Sequence, residues 1–313
     1  MSQEATNSFR TALFMNELQL PLDEALETAK DIGVEYVWFT DLQGRPPVAE
    51  LTDAEVDEVG EKVAAHGLKL MLISAASPFK FIHLTDLDTD GMPEHPEFKK
   101  DFDDVVRSME IASRLGVGAV SVYSFAWPGE YTAGKPTWPM RWLTRGGAIA
   151  DIDMEKLVRA FSLVVEQAER HDVDVVVSMM PWNYTNTTAN FRLVAERVGS
   201  SRIKVMWGPA DNYNCGEWDV ATTGFNNVSP FLHSLHVKDL HVNDGLRLDF
   251  EYLPLGEGDV DFPTVLRNLR DHGSEAILSV ATHFRPPSGS AVEAMRTNYA
   301  KLTALIDEVE SEK

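Results

Sequence analysis

The sequence has one cysteine, Cys215, in 313 residues, so no intramolecular disulfide can form. No apolar run is long enough to cross a bilayer, and Met1 to Arg10 is polar, without a basic stretch ahead of an apolar one. These absences lead us to expect a cytoplasmic protein with no membrane partner. Positive charge is also scarce. Against 49 acidic residues stand 28 basic ones, a net charge of −21, which excludes a nucleic-acid partner because phosphate recognition needs a basic footprint. The acidic residues are spread along the predicted helices, a pattern suited to staying hydrated at high salt. Also missing are a Gly-x-Gly-x-x-Gly turn, a Gly-Lys-Ser/Thr loop, a paired-cysteine motif and a Gly-x-Ser-x-Gly elbow, which removes dinucleotide, P-loop, zinc-finger and serine-hydrolase readings.

What is present is a regular alternation. Short runs rich in β-branched residues occur at Thr11 to Phe14, Tyr36 to Thr40, Leu68 to Ile73, Ala119 to Ser124, Val173 to Met179, Ile203 to Trp207, Leu232 to Lys238 and Ala276 to Val280. Between them, apolar residues recur at three- and four-residue spacing, as in Leu22, Ala25, Leu26 and Ala29, or Phe98, Phe102, Val105 and Met109. The sixth helix, between Val220 and Val228, has the weakest pattern. Strands apolar on both faces, each followed by a helix, predict a parallel sheet covered by helices. Eight such units predict closure into a single (β/α)8 TIM barrel over residues 1–313, α/β in class.

Glycines at Gly33, Gly67, Gly116 and Gly273 stop helices just before the next strand and mark the lower end of the barrel. The opposite connections are longer and richer in polar and aromatic residues, among them Ser74 to His95, Phe125 to Asp151, Gly208 to Trp218 and Asp239 to Asp261. A site on such a barrel lies among these loops, at the carboxyl ends of the strands.

Six short motifs stand in order at those ends: Ser77-Pro78-Phe79-Lys80, Val122-Tyr123-Ser124-Phe125, Gly208-Pro209-Ala210-Asp211, His236-Val237-Lys238-Asp239, Gly256-Glu257-Gly258-Asp259 and Leu278-Ser279-Val280-Ala281-Thr282-His283. In this order the chain resembles the sugar phosphate isomerase/epimerase family of xylose isomerase-like barrels, over nearly its whole length. The resemblance implies a divalent ion held by Glu, Asp, His and Glu, with the two glutamates moving a proton across an enediolate. Carried over position by position, these ligands fall on Ser178, Gly208, His236 and Ala281, so only the histidine is retained. No carboxylate stands near enough in sequence to replace either glutamate by a shift of register. We therefore expect a degenerate metal site and no cofactor. A residual divalent ion on His236, Asp211 and waters is the lesser reading.

His236 and Lys238, two apart on one strand, should face the same way and could serve as base and electrophile on a carbonyl compound; alternatively His236 is an inert relic. Asp211 could pair with either of them, or cap the helix that follows. His283 could hold a substrate hydroxyl or transfer a proton, or merely pack. Lys80 and Arg285 could bind a phosphate or carboxylate above the barrel, or form salt bridges. Tyr123, Trp127, Trp182 and Trp207, with Trp138 and Trp142, offer ring faces to a sugar, or pack loops and subunit interfaces. The expectation is an isomerase, epimerase or lyase acting on a carbohydrate or related carbonyl compound without the family's metal. Its catalytic residues would be His236, Lys238, Asp211 and His283, and its substrate-binding residues Lys80, Tyr123, Trp127, Trp182, Trp207 and Arg285. The alternative is a catalytically silent sugar-binding barrel, as a homo-oligomer or as the partner of an active homologous subunit.

Overall fold

The structure, a computed structural model, describes residues 9–41, 43–127, 147–245 and 249–312. Trp138 and Trp142 lie outside them. The parallel strands are β1 (Arg10–Phe14), β2 (Tyr36–Trp38), β3 (Lys69–Leu70), β4 (Ile73–Ser74), β5 (Ala119–Val122), β6 (Asp174–Ser178), β7 (Ile203–Trp207), β8 (Leu232–Val237) and, last in the chain, β11 (Ile277–Val280). Their order is β3-β2-β1-β11-β8-β7-β6-β5-β4. Since β3 and β4 are two halves of one strand, interrupted only at Met71 and Leu72, the two ends of this order meet and the sheet is a nearly closed barrel of eight staves. All eight predicted strands are present, and β1 lies against β11 with Leu13 opposite Val280.

The helices are α1 (Leu22–Ile32), α2 (Asp53–Ala65), α3 (Pro96–Leu115), α4 (Asp151–His171), α5 (Thr188–Val198), α6 (Pro209–Asn214), α7 (Phe225–Val228), α8 (Phe262–Asp271) and α9 (Ala291–Ser311). Each long helix buries the stripe its periodicity predicts, for example Phe98, Val105, Met109 and Ala112 of α3. Gly33 and Gly116 close α1 and α3 in the left-handed conformation expected of them. The weak sixth helix is broken in fact: a π-helical turn, Val220–Gly224, leads into the single turn of α7.

Alternation along the strands separates two apolar layers. Ala12, Trp38, Met71, Ala119, Val176, Met206 and Ile277 fill the inside of the barrel. Leu13, Val37, Val120, Val177, Trp207, Leu235 and Val280 face outward under the helices. Each fully buried side chain of this size contributes roughly 1.5–3 kcal/mol relative to exposure.

One connection differs from expectation. The stretch after β8, read from sequence as loop, forms an antiparallel hairpin of β9 (Asp239–Asp244) and β10 (Asp249–Leu253), with Tyr252 opposite Leu240. Its base is pinned by Asp239. That carboxylate accepts the backbone N–H groups of Leu240, Gly256, Gly258 and Val260 at 2.9 to 3.4 Å. Gly258 is required by this closeness, because a β-carbon there would stand 2.3 Å from the carboxylate and 2.4 Å from the Leu240 carbonyl. Asp259 in turn accepts from His241 at 2.9 Å and from the Val242 N–H at 2.8 Å. The clamp that closes this hairpin thus accounts for the Gly256 to Asp259 motif and for the last residue, Asp239, of the motif before it.

Candidate functional site

The floor of the mouth is built from inward-facing strand residues. Phe14 stacks on Trp38 with ring centroids 4.1 Å apart, and the Trp38 Nε1–H donates to Ser279 at 2.7 Å. His236 stands edge-on to both rings, at 6.2 and 6.3 Å. Burial, reinforced by the nearby Lys238 charge, holds its imidazole well below the usual histidine range, so the ring is neutral. Its Nε2 is buried and has no hydrogen-bond partner among the described residues.

Above this floor lies a polar chain that spans the mouth. Lys238 continues past the end of β8 and is almost fully buried, with its ammonium 3.0 Å from Asp211 Oδ1 and 3.3 Å from His283 Nε2. The same nitrogen lies 5.8 Å from the centroid of the Tyr252 ring. Burial alone would lower the lysine, but Asp211 outweighs it and keeps the ammonium charged. Asp211 is pushed above the usual carboxylate range by burial, against the pull of Lys238. An ammonium has donors only, so His283 Nε2 must accept and its proton must sit on Nδ1. That Nδ1 is 3.6 Å from Glu17 Oε1. His283 is 41% exposed at the rim, and desolvation with the Lys238 and Arg285 charges keeps it neutral.

Glu17 was not foreseen from sequence. It sits in the 3-10 turn Met15–Leu18 directly after β1, is 8% exposed, and its Oε2 accepts the backbone N–H of Thr282. Neighbouring Asn16 holds that turn in place, accepting from the Thr40 N–H at 2.9 Å and donating to the Asp41 carbonyl at 3.1 Å. Burial pushes the Glu17 carboxyl up to about 7, despite the Thr282 N–H, Lys238 and Arg285. A polar residue in a short turn carries no sequence signal of this. Only the closure that sets β1 beside β11 brings it to the mouth.

Lys80, Tyr123 and Trp182 come together at the other side. The Lys80 ammonium lies 4.9 Å from the Tyr123 ring centroid, 5.5 Å from that of Trp182 and 5.4 Å from that of Phe81, with no ion pair to an acid among the described residues. Burial and the charge of Lys238 lower it to about 8. Burial holds the Tyr123 hydroxyl above its ordinary range, against the pull of Ser178. The structure does not bring Trp207 to this group: its ring faces outward, fully buried beside Phe225, and its Nε1–H donates to Asn212 at 3.0 Å. The cause is strand alternation, since Met206 of β7 takes the inward position. Trp127 is buried with one face stacked on Tyr184 at 4.1 Å. Arg285 lies at the rim and donates to the carbonyls of Thr282 and Phe284, at 3.3 and 2.9 Å. Asp211 does not cap α6, whose N-cap Gly208 has no side-chain bond.

The model of the family described as xylose isomerase-like TIM barrel matches residues 26–302. The chain belongs to this family. Solved structures agree on the fold. A xylose isomerase-like TIM barrel protein from Mycobacterium smegmatis, in complex with magnesium, is 15% identical, with 98% of this chain and 100% of that one covered at a TM-score of 0.68. L-ribulose 3-epimerase is 15% identical over 97% and 96% of the two chains, with a TM-score of 0.70. The 3-keto-D-glucoside 4-epimerase of E. coli is 16% identical over 94% and 99%, with a TM-score of 0.68. No curated protein sequence matches this chain.

The donor set of this xylose isomerase-like barrel fits a divalent ion poorly. Among the described residues no three His, Cys, Asp or Glu side chains are grouped to hold one. At the mapped positions Ser178 offers only a neutral hydroxyl and Ala281 has no donor. Gly208 is occluded: a β-carbon on it would stand 2.6 Å from Asp211 Oδ2. The Asp211 carboxylate therefore fills the space a carboxylate on residue 208 would enter. The cation it meets there is the protein's own, Lys238.

Proposed function

We propose that this chain is a metal-independent isomerase or epimerase, or a related lyase, acting on a keto sugar or similar α-hydroxy carbonyl compound. The observation that carries this reading is the buried Lys238 ammonium, fixed at the mouth at 3.0 Å by Asp211 and at 3.3 Å by His283. Two of its three N–H donors have partners among the described residues, which leaves a third for a substrate oxygen. A fixed ammonium in a water-poor site stabilises the negative charge that develops on a carbonyl oxygen as its α-carbon loses a proton. Neutral His236, whose Nε2 on the floor has no partner among the described residues, would hold a hydroxyl of the same substrate. The faces of Trp182 and Tyr123 around Lys80 supply an amphipathic wall for a sugar ring, with the lysine able to bind an anionic substituent.

Two of the similar structures are epimerases of a ketose and of a keto glucoside, which supports the choice of substrate class. The test is to treat the purified protein with chelator, assay it against ketoses and 3-keto glycosides by NMR, and repeat with Lys238→Met and His236→Ala. Turnover by the chelated protein that falls about 100-fold or more in Lys238→Met supports the reading. Turnover that appears only after a divalent ion is added sinks it. So does undiminished turnover and binding in both variants. Binding of these sugars with no turnover by the isolated chain would instead favour the silent barrel.

A further inference from the structure

We propose that Glu17 Oε1 is the base that moves the substrate proton, a catalytic carboxylate delivered from the first strand of the barrel to the place left by Ala281 on the last. This rests on the reading above and names the group that reading lacks.

Four observations converge on it. Closure of the barrel pairs β1 with β11, so the turn after β1 and the residues after Val280 rise side by side at the mouth. Glu17 Oε2 is anchored by the Thr282 backbone N–H, one residue beyond Ala281. Its Oε1 is buried and has no hydrogen-bond partner among the described residues. A buried carboxylate oxygen left without a donor costs free energy unless something in the working state satisfies it. Finally, the donor rules fix direction along Asp211, Lys238, His283 and Glu17, so that His283 presents Nδ1–H toward Oε1 from 3.6 Å.

The carboxylate that fills the space beside Gly208 and the one that reaches the backbone beside Ala281 are parallel replacements. Each comes from a neighbouring segment rather than from the mapped position.

The step is a simple proton transfer. The α-carbon–hydrogen bond of a hydroxy ketone breaks, its electron pair moves into a carbon–carbon double bond, and the carbonyl oxygen takes the charge against the Lys238 ammonium. Glu17 Oε1 receives the proton and returns it, after exchange with solvent, to the same carbon as the charge on the carbonyl oxygen collapses. Return to the neighbouring carbon instead requires that carbon's hydroxyl proton to pass to the former carbonyl oxygen, and inversion requires the planar enediolate to turn its other face to Glu17. No oxidant or metal is required for balance. His283 is a positioning residue in this scheme, standing beside Oε1 with its Nδ1 3.6 Å away and held there through Nε2 by Lys238. The groups that face Glu17 and set its charge are Lys238, Arg285, Asp211 and His283.

The experiment is solvent-deuterium exchange. Chelated protein is incubated in deuterium oxide with L-ribulose, D-fructose or dihydroxyacetone, and deuterium at the α-carbon is followed by NMR. We expect exchange by the unaltered protein, a rate that rises to a plateau as the medium passes about pH 7, and a loss of about 100-fold or more in Glu17→Gln and Glu17→Ala. Glu17→Asp should keep part of the rate. Added formate should restore exchange to Glu17→Ala but not to Lys238→Met, a rescue that a purely structural role for Glu17 does not predict. Exchange within about threefold of normal in a folded Glu17→Gln overturns the assignment of Glu17 while leaving the proposed function standing. Lost exchange in Glu17→Ala that formate cannot restore likewise overturns it. No exchange by the unaltered protein with any of these probes overturns both.

Discussion

Residues His236 to Asp239 feed two regions that treat buried charge in opposite ways. On the hairpin side, the Asp239 carboxylate is saturated by four backbone N–H groups, and its surroundings are rigid by construction. On the mouth side, Lys238, one residue earlier, meets a carboxylate with one oxygen unpaired among the described residues, a neutral histidine and, through it, a second carboxylate whose outer oxygen is likewise unpaired among them. The first region is what a folded protein does with a buried acid when stability is the only demand. The second leaves acceptors open and charges poised, which is costly unless a ligand completes it. A four-residue motif therefore contains both the scaffold of the site and its reactive part.

Breaking the mouth should cost most. In Lys238→Met the Asp211 carboxylate is left buried at 3% exposure without its counter-ion, and removal of one member of a buried pair costs about 3–5 kcal/mol. Urea unfolding at pH 8 should show that loss, and adding Asp211→Asn should recover at least half of it. Recovery of nothing would mean that Lys238 contributes chiefly through packing. Breaking the clamp comes next. Asp239→Ala strands four N–H groups, for an expected loss of about 2–4 kcal/mol. A stability unchanged in that variant would show that Asp239 is not the scaffold described here.

The third prediction sharpens the contrast through pH. With its ordinary value at 4.5 and its folded value at about 7, Glu17 binds its proton more tightly in the folded state. The stabilising contribution of that proton is complete below 4.5 and is lost as pH rises through about 7. Glu17→Gln, whose amide oxygen can still accept from Thr282, removes the cost of ionising a buried acid. It should match the unaltered protein at pH 4.5 and exceed it at pH 8 by on the order of 1–3 kcal/mol. Equal stability at pH 8 would show that Glu17 ionises without the burial cost claimed for it.

Much of this was legible in the sequence, and the remainder failed for definite reasons. The strands and their helices were readable because β-branched runs and three-to-four spacing are local signals, and the glycine stops were readable because φ near +59° to +95° admits few other residues. The pairing of Lys238 with Asp211 was one of two open readings, since a carboxylate three residues past a glycine can cap a helix or reach sideways, and only the packing of α6 against the mouth decides. Trp207 was misplaced because the register that sets Met206 beside Ser234 and Trp207 beside Leu235 is decided between strands, not within one. The hairpin was missed although Leu240 and Val242, then Phe250 and Tyr252, alternate on either side of a short connection that opens with Gly245. Glu17 was beyond sequence reading, because its partner lies 265 residues away.

The smallest effect is expected where charge is exposed, and it tests whether position rather than charge makes the mouth special. Arg114 bonds Asp57 at 2.6 Å and Asp53 at 3.1 Å, a geometry as close as that of Lys238 with Asp211. Its side chain is 41% exposed and its partners more so. Water already solvates all three charges, so the ion pairs gain little over the separated state and are screened by salt. Arg114→Ala should therefore move the melting temperature by less than about 2 °C, and molar salt should erase that difference while leaving the Lys238→Met deficit in place. If salt instead abolished both differences, the Lys238–Asp211 pair would be solvated in solution and the water-poor mouth, on which the fixed ammonium depends, would not exist.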